Sequence, residues 1–289
     1  MKPAPFEYFA PRSVGEAVHL LAEYGAEAKV LAGGQSLVPL MNMRLARPSV
    51  IVDINRIPGL DYITPGPMLR IGALCRQRTA EQSAEVGARC PLLRDALRLV
   101  GHTQIRNRGT VGGSIAHADP AAELTAVLAA LGGEVTAQGP KHTRVIAASD
   151  FFVTYLTTSL ASEELLTEVR FPALPPGAGW SWMEIARRHG DFALVGVGAM
   201  LALRHGVIAD ARIALTGVGP TPVRAQDAER VLAGRAPAED LWEEAGAAVR
   251  ASLEPDGDIH ASPEYRKHVA AVLTRRALHE AHTRVREAS

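Results

Sequence analysis

Two widely separated glycine pairs, each set beside a hydroxyl residue, constrain this chain more than anything else in it: Gly33-Gly34-Gln35-Ser36 and Gly109-Thr110-Val111-Gly112-Gly113-Ser114. Paired glycines let a backbone approach another segment or a ligand closely, and successive N–H groups in such a turn form a concave site for an anion. Either pair alone reads as a tight turn. Together they predict a grip on a pyrophosphate from two sides. Rival phosphate signatures are absent: there is no Gly-x-x-x-x-Gly-Lys-Ser/Thr, and Gly196-Val197-Gly198 runs on to Leu201 where a third small residue is needed and lies in a strand pattern.

The pattern around these turns alternates strand and helix. Ser13-x-x-Glu16 is a capping box, Val14, Ala17, Val18 and Leu21 share one helical face, and Gly25 closes it. Lys29 to Ala32 is a short apolar run into the first turn, and Val50 to Asp53 is a second. Further on, Met68 to Ala73 reads as a strand, Thr79-x-x-Gln82 as a helix cap and Pro91 as the first residue of another helix. A long polar connection from His102 to Pro120 follows, with Asp119 as N-cap and Pro120 as first residue of a helix through Leu131. The Pro- and Gly-rich stretch Phe171 to Gly179 stops both helix and sheet and is read as a domain junction. Beyond it, strands Val195–Arg204 and Ala211–Val218 flank a His205-Gly206 turn, and helices are expected near 225–233, 237–252 and 263–285.

Composition narrows the function. Lys and Arg number 31 against 31 Asp and Glu, so no basic excess is available to neutralise a nucleic-acid backbone, and 14 scattered aromatic residues offer no stacking platform. Two cysteines, Cys75 and Cys90, are too few for an iron–sulfur cluster or a four-sulfur zinc site. Any iron–sulfur chemistry must come from another chain. No stretch of 18 apolar residues suggests a transmembrane segment, and Met1 to Glu7 lacks a leader pattern, so a cytoplasmic location is expected.

The two turns, read with their flanks, resemble a known family. Ala32-Gly33-Gly34-Gln35-Ser36-Leu37-Val38-Pro39, continued by Arg44, Pro48 and Asp53-Ile54, is similar to the first flavin motif of the FAD-binding medium subunits of molybdenum hydroxylases, the carbon monoxide dehydrogenase and xanthine dehydrogenase group. Thr110-Val111-Gly112-Gly113-Ser114-Ile115-Ala116-His117-Ala118-Asp119-Pro120-Ala121-Ala122-Glu123 resembles the second. Ile71-Gly72-Ala73, Glu164 to Glu168 and Arg187 to Ala193 extend the likeness over about residues 3 to 285.

The resemblance implies an α+β fold. Two FAD-binding subdomains of the vanillyl-alcohol-oxidase (PCMH) type, 1–60 and 61–174, would clasp FAD, and a C-terminal domain of antiparallel sheet and helices would span 175–289. It further implies that Leu31, Ala32, Gly33, Gly34, Gln35, Ser36 and Leu37, with Thr110, Gly112, Gly113 and Ser114, hold the pyrophosphate and neighbouring oxygens. Ala116, His117 and Asp119 would lie along the flavin chain and Glu123 would accept from its hydroxyls. Leu166 would pack on the rings, and Ala73 would lie near the cofactor. Glu184 stands where family members often carry a lysine. Gln35 replaces the histidine that attaches flavin covalently in the wider fold, so the FAD is expected to be non-covalent.

By the same resemblance, the partners are a molybdenum-cofactor large subunit and a [2Fe-2S] small subunit, in a heterotrimer dimerised to a heterohexamer. The chain itself would relay electrons from iron–sulfur clusters to an acceptor. A self-contained FAD-dependent oxidase or reductase of the same fold is the alternative. No catalytic residue and no metal site is expected: His117 beside Asp119 lacks a visible substrate pocket, and His279-Glu280-Ala281-His282 has the wrong spacing for a zinc helix. Arg187-Arg188 with Asp191 reads either as an ion-pair cluster or as a redox element. Arg106 and Arg108 face either the adenine diphosphate or a partner chain.

Overall fold

Three large sheets, each with its own apolar core, follow one another along the chain in the computed structural model, which describes residues 1–285, and a two-stranded hairpin makes a fourth. The first sheet holds β1 (Glu7–Phe9), β2 (Ala28–Leu31) and β3 (Val50–Asp53), with α1 (Val14–Tyr24) and α2 (Leu37–Asn42) between them. β3 lies in the middle and pairs in parallel with both neighbours. Its Val-Ile-Val run is buried on both faces, as a central parallel strand requires. α1 starts where its cap predicts: Ser13 Oγ accepts from the Glu16 N–H at 3.1 Å, and Gly25 ends the helix at positive φ. The Glu16 carboxylate reaches one residue further back than a capping box requires and accepts from the Arg12 N–H at 2.8 Å.

The second sheet, ordered β4-β5-β10-β6-β7, is antiparallel. Its strands are β4 (Ile63–Thr64), β5 (Met68–Gly72), β6 (Glu134–Gln138), β7 (Thr143–Ala147) and, after the small hairpin β8 (Phe152–Thr154) and β9 (Thr157–Thr158), β10 (Leu165–Pro172). Between β5 and β6 run α3 (Gln77–Gln82), α4 (Ala84–Arg89), α5 (Pro91–Leu97), α6 (Thr103–Arg106), α7 (Val111–His117) and α8 (Glu123–Leu131); α9 (Ala148–Phe151) follows β7. Three expectations are corrected here. The 102–120 connection is not a loop, because α6 and α7 occupy it, with Thr110 as the N-cap of α7. α3 begins two residues before Thr79: the Gln77 N–H donates to Gly109 O at 2.9 Å and Arg76 bridges Thr110, so a distant partner sets its start.

Asp119 does not cap α8, which starts at Glu123 after Ala122. The physical reason lies in the third sheet. The Pro120 carbonyl accepts from Thr216 Oγ1 at 2.6 Å and from the Gly217 N–H at 2.8 Å, and the Ala122 carbonyl accepts from Thr216 Oγ1 at 3.0 Å. With its carbonyl so engaged, Pro120 does not open a helical turn, and Asp119 Oδ1 closes a short turn on the Ala121 N–H instead.

The third sheet, β11 (Gly179–Ala186), β12 (Ala193–Arg204), β13 (Val207–Thr216) and β14 (Val223–Arg224), is antiparallel in chain order. His205 and Gly206, both at positive φ, make the two-residue turn that joins β12 to β13, so β13 begins at Val207 rather than Ala211. α10 (Gln226–Leu232), α11 (Glu239–Ser252) and α12 (Pro263–Arg284) complete this unit, with Trp242, Leu273, Ala277 and Leu278 buried against the sheet. Ser262 and Pro263 start α12 as N-cap and first residue. No helix among the described residues is long and apolar enough to cross a membrane.

β11 and α12 meet at Gly179, where a Cβ would stand 1.8 Å from the Ala281 carbonyl oxygen. Both contacting groups are backbone, so neither can swing aside. Gly179→Ala is expected to lower stability by about 1–3 kcal/mol in urea denaturation, the range for overpacking. Gly15→Ala, on the exposed side of α1 with only Ser13 Oγ at 4.0 Å, is expected to raise it by about 0.5–1 kcal/mol.

Candidate functional site

The two glycine turns meet. A Cβ on Gly33 would lie 2.5 Å from the Arg108 carbonyl oxygen and 2.7 Å from Gly109 Cα, so the first turn crosses the second backbone to backbone. A Cβ on Gly113 would lie 3.5 Å from Ala32 Cβ. Polar side chains clamp the crossing: Arg76 donates to the Arg108 carbonyl at 2.5 Å and to Asn55 Oδ1 at 2.8 Å, and Asn55 Nδ2 donates to the Ala32 carbonyl at 2.8 Å. Neither Arg76 nor Asn55 carries a sequence signal, because each gains its role only from partners remote in the chain.

The turns differ in what they leave free. Among the described residues, the N–H groups of Gly33, Gly34, Gln35 and Ser36 have no protein acceptor. Those opening α7 are all engaged: Val111 with Cys75 O at 2.9 Å, Gly112 with Ala73 O at 3.2 Å, Gly113 with Thr110 Oγ1 at 3.0 Å and Ser114 with Thr110 O at 3.1 Å. Gly112 is therefore glycine because α7 docks on Ala73, whose Cα would be 2.6 Å from a Cβ there. The first turn supplies amides; the second supplies a wall. Leu31 ends the strand before the amides, Leu37 starts the helix after them, and the Gln35 side chain folds back to donate to Gly33 O at 3.2 Å.

A cleft of about 420 Å³ opens over the first turn, lined among others by Gly33, Gly34, Gln35, Asp53, Asn55 and Arg108. Burial alone would raise the Asp53 carboxyl, but hydrogen bonds from the Tyr8 hydroxyl (2.6 Å) and from Asn55 outweigh it and hold the group below its ordinary value. Arg108 thus reaches the cleft. Arg106 does neither of the things expected of it: it is buried, paired with Glu81 at 2.9 Å and bonded to the Val100 and Gly101 carbonyls.

Downstream, Ala116 and His117 end α7, and Ala118 closes it in the left-handed region. Burial, reinforced by Lys29 and opposed by Asp119, lowers the His117 pKa, which favours a neutral imidazole at pH 7. Leu166, on β10, is 4% exposed and belongs to the second core. Glu123 is buried at the start of α8; burial first, then the charge of Glu184, pushes its carboxyl up to about 8. Glu184 is itself raised by burial, against the Trp182 indole N–H at 3.0 Å and the His189 charge. The charge of Glu184 thus acts on Glu123.

A second hollow of about 510 Å³ lies where the amino-terminal half meets the C-terminal unit, lined among others by Pro120, Ala121, Tyr155, Asp191, Phe192 and Arg266. Arg187 and Arg188 pair with Asp191 at 3.3 and 3.5 Å, the ion-pair reading of that cluster. His279 contacts Glu239 at 2.6 Å, and His282 lies against the Trp242 ring.

Comparison with known proteins places the geometry in a family. Residues 4–174 match the FAD binding domain in molybdopterin dehydrogenase, and residues 180–281 match the CO dehydrogenase flavoprotein C-terminal domain. The chain is 43% identical to the 6-hydroxypseudooxynicotine dehydrogenase complex subunit alpha of Paenarthrobacter nicotinovorans, over 99% of this chain and 97% of that one. It superposes with a TM-score of 0.96 on a chain of carbon monoxide dehydrogenase from Hydrogenophaga pseudoflava, at 40% identity over 99% and 100% of the two chains. For a chain of quinoline 2-oxidoreductase from Pseudomonas putida 86 the TM-score is 0.93, at 36% identity over 98% and 99%. From its amino-terminal glycine turns to its last helix, this chain belongs to the FAD-binding medium subunits of the molybdenum hydroxylases.

Proposed function

We propose that this chain is the FAD-binding, electron-transferring subunit of a molybdenum hydroxylase complex. One observation carries the reading: a row of free backbone amides faces a cleft at the place where two glycine turns cross without side chains. Free N–H groups that converge on a concave surface suit a diphosphate, and Arg108 on the rim adds charge complementarity. FAD, when bound, supplies the ability to exchange electrons singly or in pairs.

The protein's part is to hold and orient the cofactor. Gly33, Gly34, Gln35 and Ser36 would take the diphosphate through their amides, with Leu31, Ala32 and Leu37 framing them. Thr110, Gly112, Gly113 and Ser114 would form the opposite wall, and Ala73 its base. Ala116, His117, Asp119, Glu123, Leu166 and Glu184 complete the proposed cofactor-binding set, His117 as a neutral hydrogen-bonding group. Gln35 offers no nucleophilic ring nitrogen, so the cofactor is held without a covalent bond.

The division 1–60, 61–174 and 175–289 belongs to the same reading. So do a [2Fe-2S] small subunit, a molybdenum large subunit, their assembly as a dimerised heterotrimer and a cytoplasmic location. Cys75 and Cys90 are both buried, and burial pushes each thiol up to about 12, which fits structural cysteines rather than cluster ligands. Relatives at 43% and 40% identity belong to dehydrogenases of an organic heterocycle derivative and of carbon monoxide. Substrate choice therefore belongs on another chain.

Two outcomes are expected. The purified chain shows a flavin absorption spectrum, and Gly33→Ala weakens FAD binding at least about tenfold, equivalent to about 1.4 kcal/mol, with an unchanged circular dichroism spectrum. Anaerobically, FAD on the isolated chain stays oxidised with small organic substrates and is reduced once the molybdenum and iron–sulfur chains are added; reduction without them would instead favour the self-contained oxidase.

A further inference from the structure

α2 runs straight on from the free amides, and the turn that closes it holds apolar side chains in solvent. Val38 is 42% exposed, Met43 50% and Leu45 73%. Single exposed hydrophobic residues are ordinary, but a group of them in one short segment marks a contact surface. The turn is built to keep that display. Arg44 sits at φ 59°, a left-handed conformation unfavourable for a residue with a Cβ. The Arg44 N–H donates to Met41 O at 2.9 Å, and the Leu45 and Ala46 N–H groups both donate to Leu40 O, at 2.9 and 3.2 Å. Arg47 Nε donates to the Arg44 carbonyl at 2.9 Å, and Arg44 Nε to the Lys2 carbonyl at 3.3 Å. None of these bonds buries Leu45.

The patch is continuous with the cleft. Val38 and Pro39 line it beside Gly33 and Gly34, and Asp53, which also lines it, accepts from the hydroxyl of the half-exposed Tyr8 at 2.6 Å. Phe6, two residues earlier, is exposed as well, while Glu7 between them alternates to the opposite face. The Lys2 contact joins this amino-terminal segment to the Arg44 turn, so one surface runs from Phe6 to Leu45. Its cations are uncompensated. Among the described residues, Lys2, Arg44, Arg47 and the rim residue Arg108 have no carboxylate within ion-pair distance, whereas Arg187, Arg188, Arg230 and Arg235 each have one. An apolar centre with an unbalanced cationic rim complements an apolar face edged with carboxylates.

We propose that this surface, Phe6 to Tyr8 with Val38 to Arg47, is where the [2Fe-2S] chain docks, through a facing surface that is apolar at its centre and acidic at its rim. The inference rests on the electron-transfer reading above. Electrons pass between redox centres only over short distances, so a chain that feeds this cofactor seats beside the cleft, and the patch forms the cleft's own lip. A cluster held by four thiolates is itself net negative, which adds to the attraction of Lys2, Arg44, Arg47 and Arg108. Because the turn is already held by its hydrogen bonds, docking does not wait for a loop to order. The exposed Phe192 and Tyr155 offer a poorer seat: at the seam hollow, Arg187 and Arg266 are already paired with Asp191 and Asp258, and Asp256 is left as the odd charge.

The test is binding of the purified [2Fe-2S] chain of the same complex to this full-length, FAD-loaded chain, by calorimetry at low and high salt and by hydrogen exchange. Amides of residues 37–47 are expected to gain protection when the cluster chain is added, and the wild-type Kd to rise with salt. Leu45→Asp is expected to raise the Kd at least about tenfold. The double change Arg44→Glu, Arg47→Glu is expected to do the same and to flatten the salt dependence, with FAD content and circular dichroism unchanged in every variant. Phe192→Asp, at the seam hollow, is expected to leave the Kd as it is. The exchange measurement uses no variant, so a misfolded mutant cannot shelter the proposal. Protection at the seam hollow instead of residues 37–47, protection of 37–47 by the molybdenum chain alone, or a Kd unmoved by Leu45→Asp would overturn the proposal while leaving the FAD reading intact. A wild-type chain that binds FAD but no cluster chain would overturn the electron-transfer reading with it.

Discussion

The site depends on one crossing of two backbones. Gly33 passes so close to the Arg108 carbonyl and Gly109 Cα that no side chain fits between them. Everything near the cleft follows from that approach. Among the described residues, the amides of the first turn find no protein acceptor, and the second turn packs directly against Gly33. The second turn, having spent its own amides on Cys75, Ala73 and Thr110, is held rigid enough to act as a wall. Arg76 and Asn55 then tie both turns together and leave Arg108 on the rim. The arrangement divides labour between two segments that look alike as strings of residues and do different physical work.

Local signals in the sequence were legible where the deciding partners are local. Ser13 and Gly25 delimit α1, His205-Gly206 turns β12 into β13, and Ser262-Pro263 starts α12, each through bonds within a few residues. The glycine turns were legible as chemistry and, through their flanks, as a family. Failures cluster where a distant group decides. Thr110 starts α7 because Cys75 and Ala73 capture the next two amides. Asp119 fails to start α8 because Thr216 and Gly217, nearly a hundred residues on, claim the Pro120 carbonyl. Arg106 sits beside the motif yet turns inward to Glu81. No window of sequence contains these partners, so propensity and spacing could not anticipate them.

Cys75 and Cys90 are buried, and His117, at the end of α7, is biased toward neutrality by burial. Relatives named for carbon monoxide, quinoline and 6-hydroxypseudooxynicotine share this framework nearly whole.

The hook from Thr216 and Gly217 to Pro120 and Ala122 bears on modularity. The boundary at the Pro- and Gly-rich linker invites treating the halves as interchangeable cassettes. Yet the carbonyls that precede α8 find their donors in the other half, and excision there would strip them bare. Swapping the carboxy-terminal unit between relatives would therefore transplant part of the amino-terminal fold's own hydrogen bonding, and a chimera succeeds only if the incoming strand end presents a hydroxyl and an amide at that spot.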